Sequence, residues 1–336
     1  MLLRACVVTC MRIAVLSSRE VPRGRPIGVR RLGMDLVFWR DDSGRIHALL
    51  DDCPHRRARL SLGKVVGGKI QCPYHGFEFD GSGKVIKIPA LGRSAKLPEY
   101  LKAFSMPVYD AYDIVWVWYG GGEPRGAPRF FEDLEGLEAY SEYSEVWGVS
   151  LPRAVENQLD VFHLPFVHYN TIGRGGRTLV HGPLVKPVDD YSFVVYPFNQ
   201  VDRGQRPLRS SEIDVGKLRN YLWFIYPNLW ENYISKNMRV VAFFAPVGSV
   251  STKIYLRLYM KVTGVKPLDA LIAKLLMPFN VYVLHQDRRV VTSQAGDIMR
   301  DKLIHADAPI AMYRRMYLSD KELNKLLEKK SWGKGS

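Results

Sequence analysis

Cys53 and His55 stand one residue apart, Cys72 and His75 stand two apart, and sixteen residues separate the pairs. Two of the chain's four cysteines and two of its eight histidines thus fall within twenty-three positions. A structural zinc site usually spaces paired ligands about two to four residues apart. Cys53-x-His55 is tighter than that, and each pair mixes sulfur with nitrogen. A two-iron, two-sulfide cluster has a different demand: thiolates on one iron and imidazoles on the other. Two loops that each carry one cysteine and one histidine supply it, with Pro54, Pro73 and Gly76 suited to tight ligand loops. Imidazole in place of thiolate makes the cluster less negative and raises its potential above that of all-cysteine ferredoxins.

Around these pairs the sequence reads as short β-strands. "DLVFWRD" (35–41) and "RIHALLDD" (45–52) flank the turn "DSG", and "DGSG" separates "FEF" from "KVIKI". "DIVWVWY" (113–119) alternates and is aromatic, so an all-β domain is expected over 1–121. "GGGEPRGAPRFF" (120–131) reads as a linker. Beyond it, "PRAVENQLDVFHLPFVHYN" (152–170) is helical in character as far as Pro165, where a helix should stop or kink. Residues 191–262 return to strands. "PLDALIAKLLMPFNVYVLHQDRRVVTSQ" (267–294) predicts the longest helix, with a bend at Pro278. The second domain is therefore α+β, over 122–336.

At 336 residues the chain can bury a sizeable core without disulfide staples, and four cysteines are no secreted framework. Cys6 and Cys10 are expected to be incidental thiols. The first ten residues are consistent with an upstream start, since Met11 opens "MRIAVLSSREVP"; no cleavage site follows Leu2–Met11, so a signal peptide is not expected. The apolar run 268–284 contains Lys274 and Pro278 and is expected to be too short and broken to span a bilayer. A cytoplasmic location follows. The net charge of +14 is scattered apart from a "KKSWGKGS" tail, and no nucleic-acid-binding module accompanies it.

"CPHRRARLSLG…CPYHGFEFDGSGKVIKIPA" resembles the ligand loops of the Rieske non-haem iron oxygenases. Within them it is nearest to the α subunits that demethylate vanillate-like aromatics and to the pheophorbide oxygenase group. The resemblance implies a Rieske 2Fe–2S domain followed by a catalytic domain of antiparallel sheet and helices, helix-grip-like. Phe77 departs from the family, which commonly has tryptophan there; packing near the cluster should change more than ligation.

A cluster alone moves electrons, so the later residues decide the function. His163 and His168 lie five apart around Pro165, and a helix ending at that proline can swing them together. Two imidazoles with one carboxylate form the facial triad of oxygen-activating ferrous iron. The order Asn157-x2-Asp160-x2-His163-x4-His168 resembles the family's iron-binding motif, and Asp287 matches its C-terminal carboxylate. His285 is the nearby decoy. Asp160 is placed to accept the His163 ring N–H. The resemblance further implies that Asp160 links His163 to a cluster histidine, His75, of a neighbouring subunit in a closed ring, a homotrimer. Asn157 is expected to line the iron pocket.

The implied activity is hydroxylation or O- or N-demethylation of an aromatic or polycyclic substrate. It would consume O2 and draw electrons from NAD(P)H through a flavin reductase or ferredoxin, with one 2Fe–2S cluster and one Fe2+ per chain. Ring dioxygenation or desaturation on the same machinery is the alternative, and an electron carrier with an inactive second domain is another. Tyr221, Trp223, Phe224, Tyr226 and Trp230 are read as sheet core rather than substrate contacts.

Overall fold

The structure is a computed structural model, and it describes residues 10–120, 126–294 and 296–328. Cys6, the expected boundary at 121 and 122, and the basic tail lie outside the described residues; Cys10 opens the first strand. The chain divides into two compact units. One holds the described residues between 10 and 128 together with 246–249 and 322–328. The other holds 129–245 and 250–321.

The first unit carries three small sheets. Cys10–Ser17, Ile114–Gly120 and Val108–Ala111 form one, in that order. Ile27–Arg31, Met34–Arg40, Ile46–Leu50 and Ser105–Met106 form the second. In it the expected hairpin pairs Arg40 with Ile46 around the "DSG" turn. The third, Lys64–Val66, Lys69–Gln71, Glu78–Phe79 and Val85–Lys87, contains the "DGSG" hairpin. Val37, Trp39, Leu49, Leu60, Ile70, Phe79 and Val85 close around its core, which also receives Cys53 and Cys72. The two cysteine loops therefore hang from a rigid apolar body: one follows Ile46–Leu50, the other joins Lys69–Gln71 to Glu78–Phe79.

The second unit is built on a seven-stranded sheet. Six strands follow one another in chain order: Leu184–Asp189, Ser192–Tyr196, Tyr221–Ile225, Leu229–Ser235, Met238–Gly248 and Ser251–Met260. Tyr140–Trp147 completes the far edge. The central run "VVAFFA" (240–245) is buried on both faces, which explains its unbroken apolar character. Of the five aromatics read as core, Phe224, Tyr226 and Trp230 are buried, and Tyr221 and Trp223 are half-buried.

Helices α1 (Leu151–Leu159), α2 (Leu164–Val167), α3 (Lys266–Val291) and α4 (Ala308–Ser319) accompany the sheet. Two sequence expectations need correction here. The helix after Leu151 does not reach Pro165 but ends at Leu159. Asp160 caps it and turns the chain, accepting from the backbone N–H of Phe162 (2.9 Å) and His163 (3.2 Å). Pro165 instead sits in the first turn of α2, where its missing N–H has no partner to lose. The second correction concerns α3, which runs unbroken through Pro278 for 26 residues. It is thus long and apolar enough to cross a membrane, contrary to the reading of 268–284 as too short. It packs against Tyr140–Trp147 and Ser251–Met260 and buries the carboxylates Asp269 and Asp287, while Leu271, Leu275 and Phe279 on the same helix are exposed.

Candidate metal centres

The two cysteine loops close by the same backbone pattern. Cys53 N–H donates to the Ala58 carbonyl five residues on, and Arg57 N–H returns to the Cys53 carbonyl, both at 2.9 Å. Cys72 N–H donates to Phe77 O (2.8 Å), and Gly76 N–H returns to Cys72 O (3.1 Å). The fourth residue after each cysteine has positive φ, +60° at Arg57 and +69° at Gly76. Glycine is needed more at the second, where a Cβ would stand 3.1 Å from Pro89 Cγ. Each loop thus turns back on itself and aims one thiol and one imidazole the same way.

Both thiols are free and buried, at 1% and 3% exposure, while His55 is exposed and His75 half-buried. The His55 and His75 rings meet edge to face at 4.7 Å, and Phe77 stacks flat on His55 at 4.6 Å. Burial pushes the Cys53 thiol up to about 11, and the nearby Cys72 adds to the rise. His75 Nδ1 is buried with no hydrogen-bond partner. Two adjacent buried thiols, beside an orphaned imidazole nitrogen, suit a cationic cluster that takes thiolates on one side and imidazoles on the other.

In the second unit α1, α2 and α3 bring three donors together. His163 precedes α2, His168 follows it, and the short helix folds their rings to a centroid distance of 5.1 Å. His163 Nε2 lies 3.2 Å from His168 Nε2 and 3.4 Å from Asp287 Oδ1, and His168 Nε2 lies 3.0 Å from that same oxygen. Three donors bound cis, each ~2.1 Å from one ion, stand ~3.0 Å apart, so these spacings fit a facial arrangement. His168 and Asp287 are buried, at 1% and 4% exposure. Burial opposes a charge on Asp287, but His163 and His168 outweigh it and bring the carboxyl down to about 2. Burial likewise opposes protonation of His163, yet Asp160 and Asp287 bring it up to about 9.

The other expected residues fall close by. Asn157 Nδ2 donates to Asp287 Oδ1 (3.1 Å), and Gln158 Nε2 donates to Asn157 Oδ1 (2.7 Å). Asp160 Oδ1 stands 3.6 Å from His163 Nδ1, an ion-pair separation too long for a hydrogen bond, and that nitrogen is buried without a partner. The turn after α1 engages Asp160 Oδ1 with backbone N–H groups instead. His285 faces Glu145 at 3.3 Å, away from the three donors. Sequence reasoning passed over Gln286, whose Oε1 lies 2.9 Å from His168 Nδ1; its adjacency to Asp287 in "HQD" was the available signal.

Residues 11–105 match the model of the Rieske [2Fe–2S] domain, and residues 147–319 match that of the vanillate O-demethylase oxygenase C-terminal domain. The chain belongs to this family of Rieske non-haem iron oxygenases, whose cofactors are a Rieske cluster and a mononuclear iron. It is 30% identical over 219 residues to Protein TIC 55 of Arabidopsis thaliana, covering 64% of this chain and 39% of that one. To the oxygenase component of dicamba O-demethylase from Stenotrophomonas maltophilia it is 36% identical over 152 residues, 43% of each chain. It therefore spans about two fifths of these curated relatives. The crystal structure of dicamba monooxygenase bound to dicamba shares the fold, with a TM-score of 0.70 at 21% identity over 92% of this chain and 96% of that one.

Proposed function

We propose that the chain is the oxygenase component of a multi-part system that hydroxylates or O- or N-demethylates an aromatic or polycyclic molecule. Electrons would come from NAD(P)H through a flavin reductase or ferredoxin. Cys53 and Cys72 would hold one cluster iron and His55 and His75 the other; His163, His168 and Asp287 would hold the mononuclear iron. The observation that carries this reading is the convergence of those last three donors within 4.8 Å in a buried site. An electron carrier has no use for it. The name of the dicamba relative supports O-demethylation of a small aromatic in preference to desaturation.

When bound, the two groups supply single electrons and the reductive activation of dioxygen. The chain's own residues sort the rest. Apolar side chains screen Cys53 and Cys72, which leaves His55 and His75 as the side of the site that a redox partner could approach. Asn157 holds the Asp287 carboxylate toward the two histidines. Asp160 is half-buried and would complete a link from His163 to His75 of the partner subunit in a homotrimer. The orphaned His163 Nδ1 is the donor that such a link needs.

Iron and acid-labile sulfide on anaerobically purified protein test the reading, with an EPR spectrum after dithionite reduction. Three irons per two sulfides and a Rieske-type signal are expected, followed by O2 uptake with methoxylated aromatics and a reductase. Two irons per two sulfides, unchanged by added Fe2+, would leave an electron carrier.

A further inference from the structure

We propose that Gln286 is a positioning residue that fixes the tautomer of His168, and so presents its Nε2 lone pair to the metal. The inference rests on the reading of His163, His168 and Asp287 as an iron site. Consecutive residues of α3 address opposite nitrogens of one ring: Gln286 Oε1 lies 2.9 Å from Nδ1, and Asp287 Oδ1 lies 3.0 Å from Nε2. A neutral imidazole has one N–H to place. On Nε2 it would donate to Asp287 and occupy the position a metal needs. On Nδ1 it donates to Gln286 and leaves Nε2 free. The amide oxygen therefore competes against the ligand carboxylate for this proton, and its acceptance selects the tautomer that can bind.

The turn that carries His168 also holds the amide. Gln286 Nε2 donates to Asn170 Oδ1 (2.7 Å), and Thr171 Oγ1 lies 2.8 Å from Gln286 Oε1. A flipped Gln286 amide would set two oxygens 2.7 Å apart against Asn170 and turn an NH2 toward the ring, so the observed orientation is the one the network supports. Thr171 and Gly173 N–H both return to the His168 carbonyl at 2.9 Å, tying this turn to the ring it serves. Asn157, on α1, holds Asp287 in a comparable way, so each of these two ligands has its own polar holder.

The test is equilibrium dialysis of the whole chain against chelator-buffered Fe2+, counting iron in excess of that matched by acid-labile sulfide. Gln286→Met, which keeps the length but removes the acceptor, should weaken this iron about 10- to 100-fold. Gln286→Glu, which keeps an oxygen for the Nδ1 proton, should stay within about threefold of the parent. A Gln286→Met curve that superimposes on the parent's would overturn the proposal. So would equal losses in the Met and Glu variants, since the side chain would then merely hold the turn. A parent that takes up no iron beyond the cluster, or a His168→Ala variant that binds it as well as the parent, would sink the iron reading itself and the proposal with it.

Discussion

Single residues in this chain act through what burial does to their protons. Glu231 is the sharpest case. It is fully buried on the sheet; its Oε1 lies 3.1 Å from Arg239 Nε, but that N–H is also directed at Asp133 (3.2 Å), and neither Glu231 oxygen accepts a well-aligned hydrogen bond. Burial, and then the charge of Asp133, push its carboxyl up to about 9. A carboxyl held above its unfolded value of about 4.3 binds its proton more tightly in the folded chain. The associated stability is complete below that value and drains away as pH rises toward 9. Glu231→Gln keeps the shape and needs no proton. Its stability should match the parent's near pH 4 and exceed it increasingly up to pH 9, by about 5 kcal/mol at pH 8, with a melting temperature that rises accordingly. Parallel melting curves across that range would mean that Glu231 is ionised and satisfied by Arg239. The proposed metal ligands behave differently, because each would serve one group. His168→Ala and Asp287→Ala should lose the mononuclear iron yet keep two irons per two sulfides and the EPR signal of the reduced cluster; Cys72→Ser should do the reverse. Metal analysis on the three variants decides it.

Between helices, charge does the fastening. Glu156 of α1 receives both Nε (2.7 Å) and Nη2 (2.8 Å) of Arg314 from α4, and all these groups are nearly buried. Arg153, one turn earlier, pairs with Asp301, which also meets Arg314. Removing one partner of a buried pair leaves the other charged and dry. Arg314→Met should therefore cost about 3–5 kcal/mol, and adding Glu156→Gln should recover much of it. Urea unfolding of the single and double variants measures both, and additive losses would show that the pair is not coupled. None of this network was legible beforehand, because Glu156 and Arg314 are 158 positions apart and nothing in either local sequence names its partner. The ligand loops were legible for the opposite reason. Cys53, His55, Cys72 and His75 are local pairs whose order already states the chemistry, and the hairpins beside them are set by short turns. The region between Leu151 and His168 stood in between. Its residues were readable, but the geometry was not: the Asp160 side chain competes for backbone N–H groups and stops α1 six residues before Pro165 breaks anything. Gln286 escaped notice because a glutamine on a helix looks like any solvated residue until the ring it holds is seen.

For the whole molecule, the net charge of +14 needs a consequence that fold and site do not supply. Among the described residues, exposed Lys274, Arg289, Arg174 and Arg177 stand on or near the elements that carry His163, His168 and Asp287. Charge of one sign does not build a sheet or choose a ligand; it changes how often a partner of opposite sign arrives. We propose that the electron donor is acidic and that this field steers it, which places the effect on encounter rather than on affinity alone. The Debye length falls from about 10 Å at 0.1 M salt to about 3 Å at 1 M, so long-range steering should fade across that range while short contacts persist. Stopped-flow reduction of the cluster by its donor should therefore slow by at least about tenfold between 20 mM and 500 mM NaCl. Dithionite, a small reductant with no docking surface, should show a far weaker dependence once its own ionic-strength effect is subtracted. If both reductants respond alike, the charge does not act through docking and a partner of the same sign becomes admissible. A steep fall for the protein donor alone would locate the charge in recognition, and substitutions of exposed lysines and arginines, one face at a time, would then find where that donor lands.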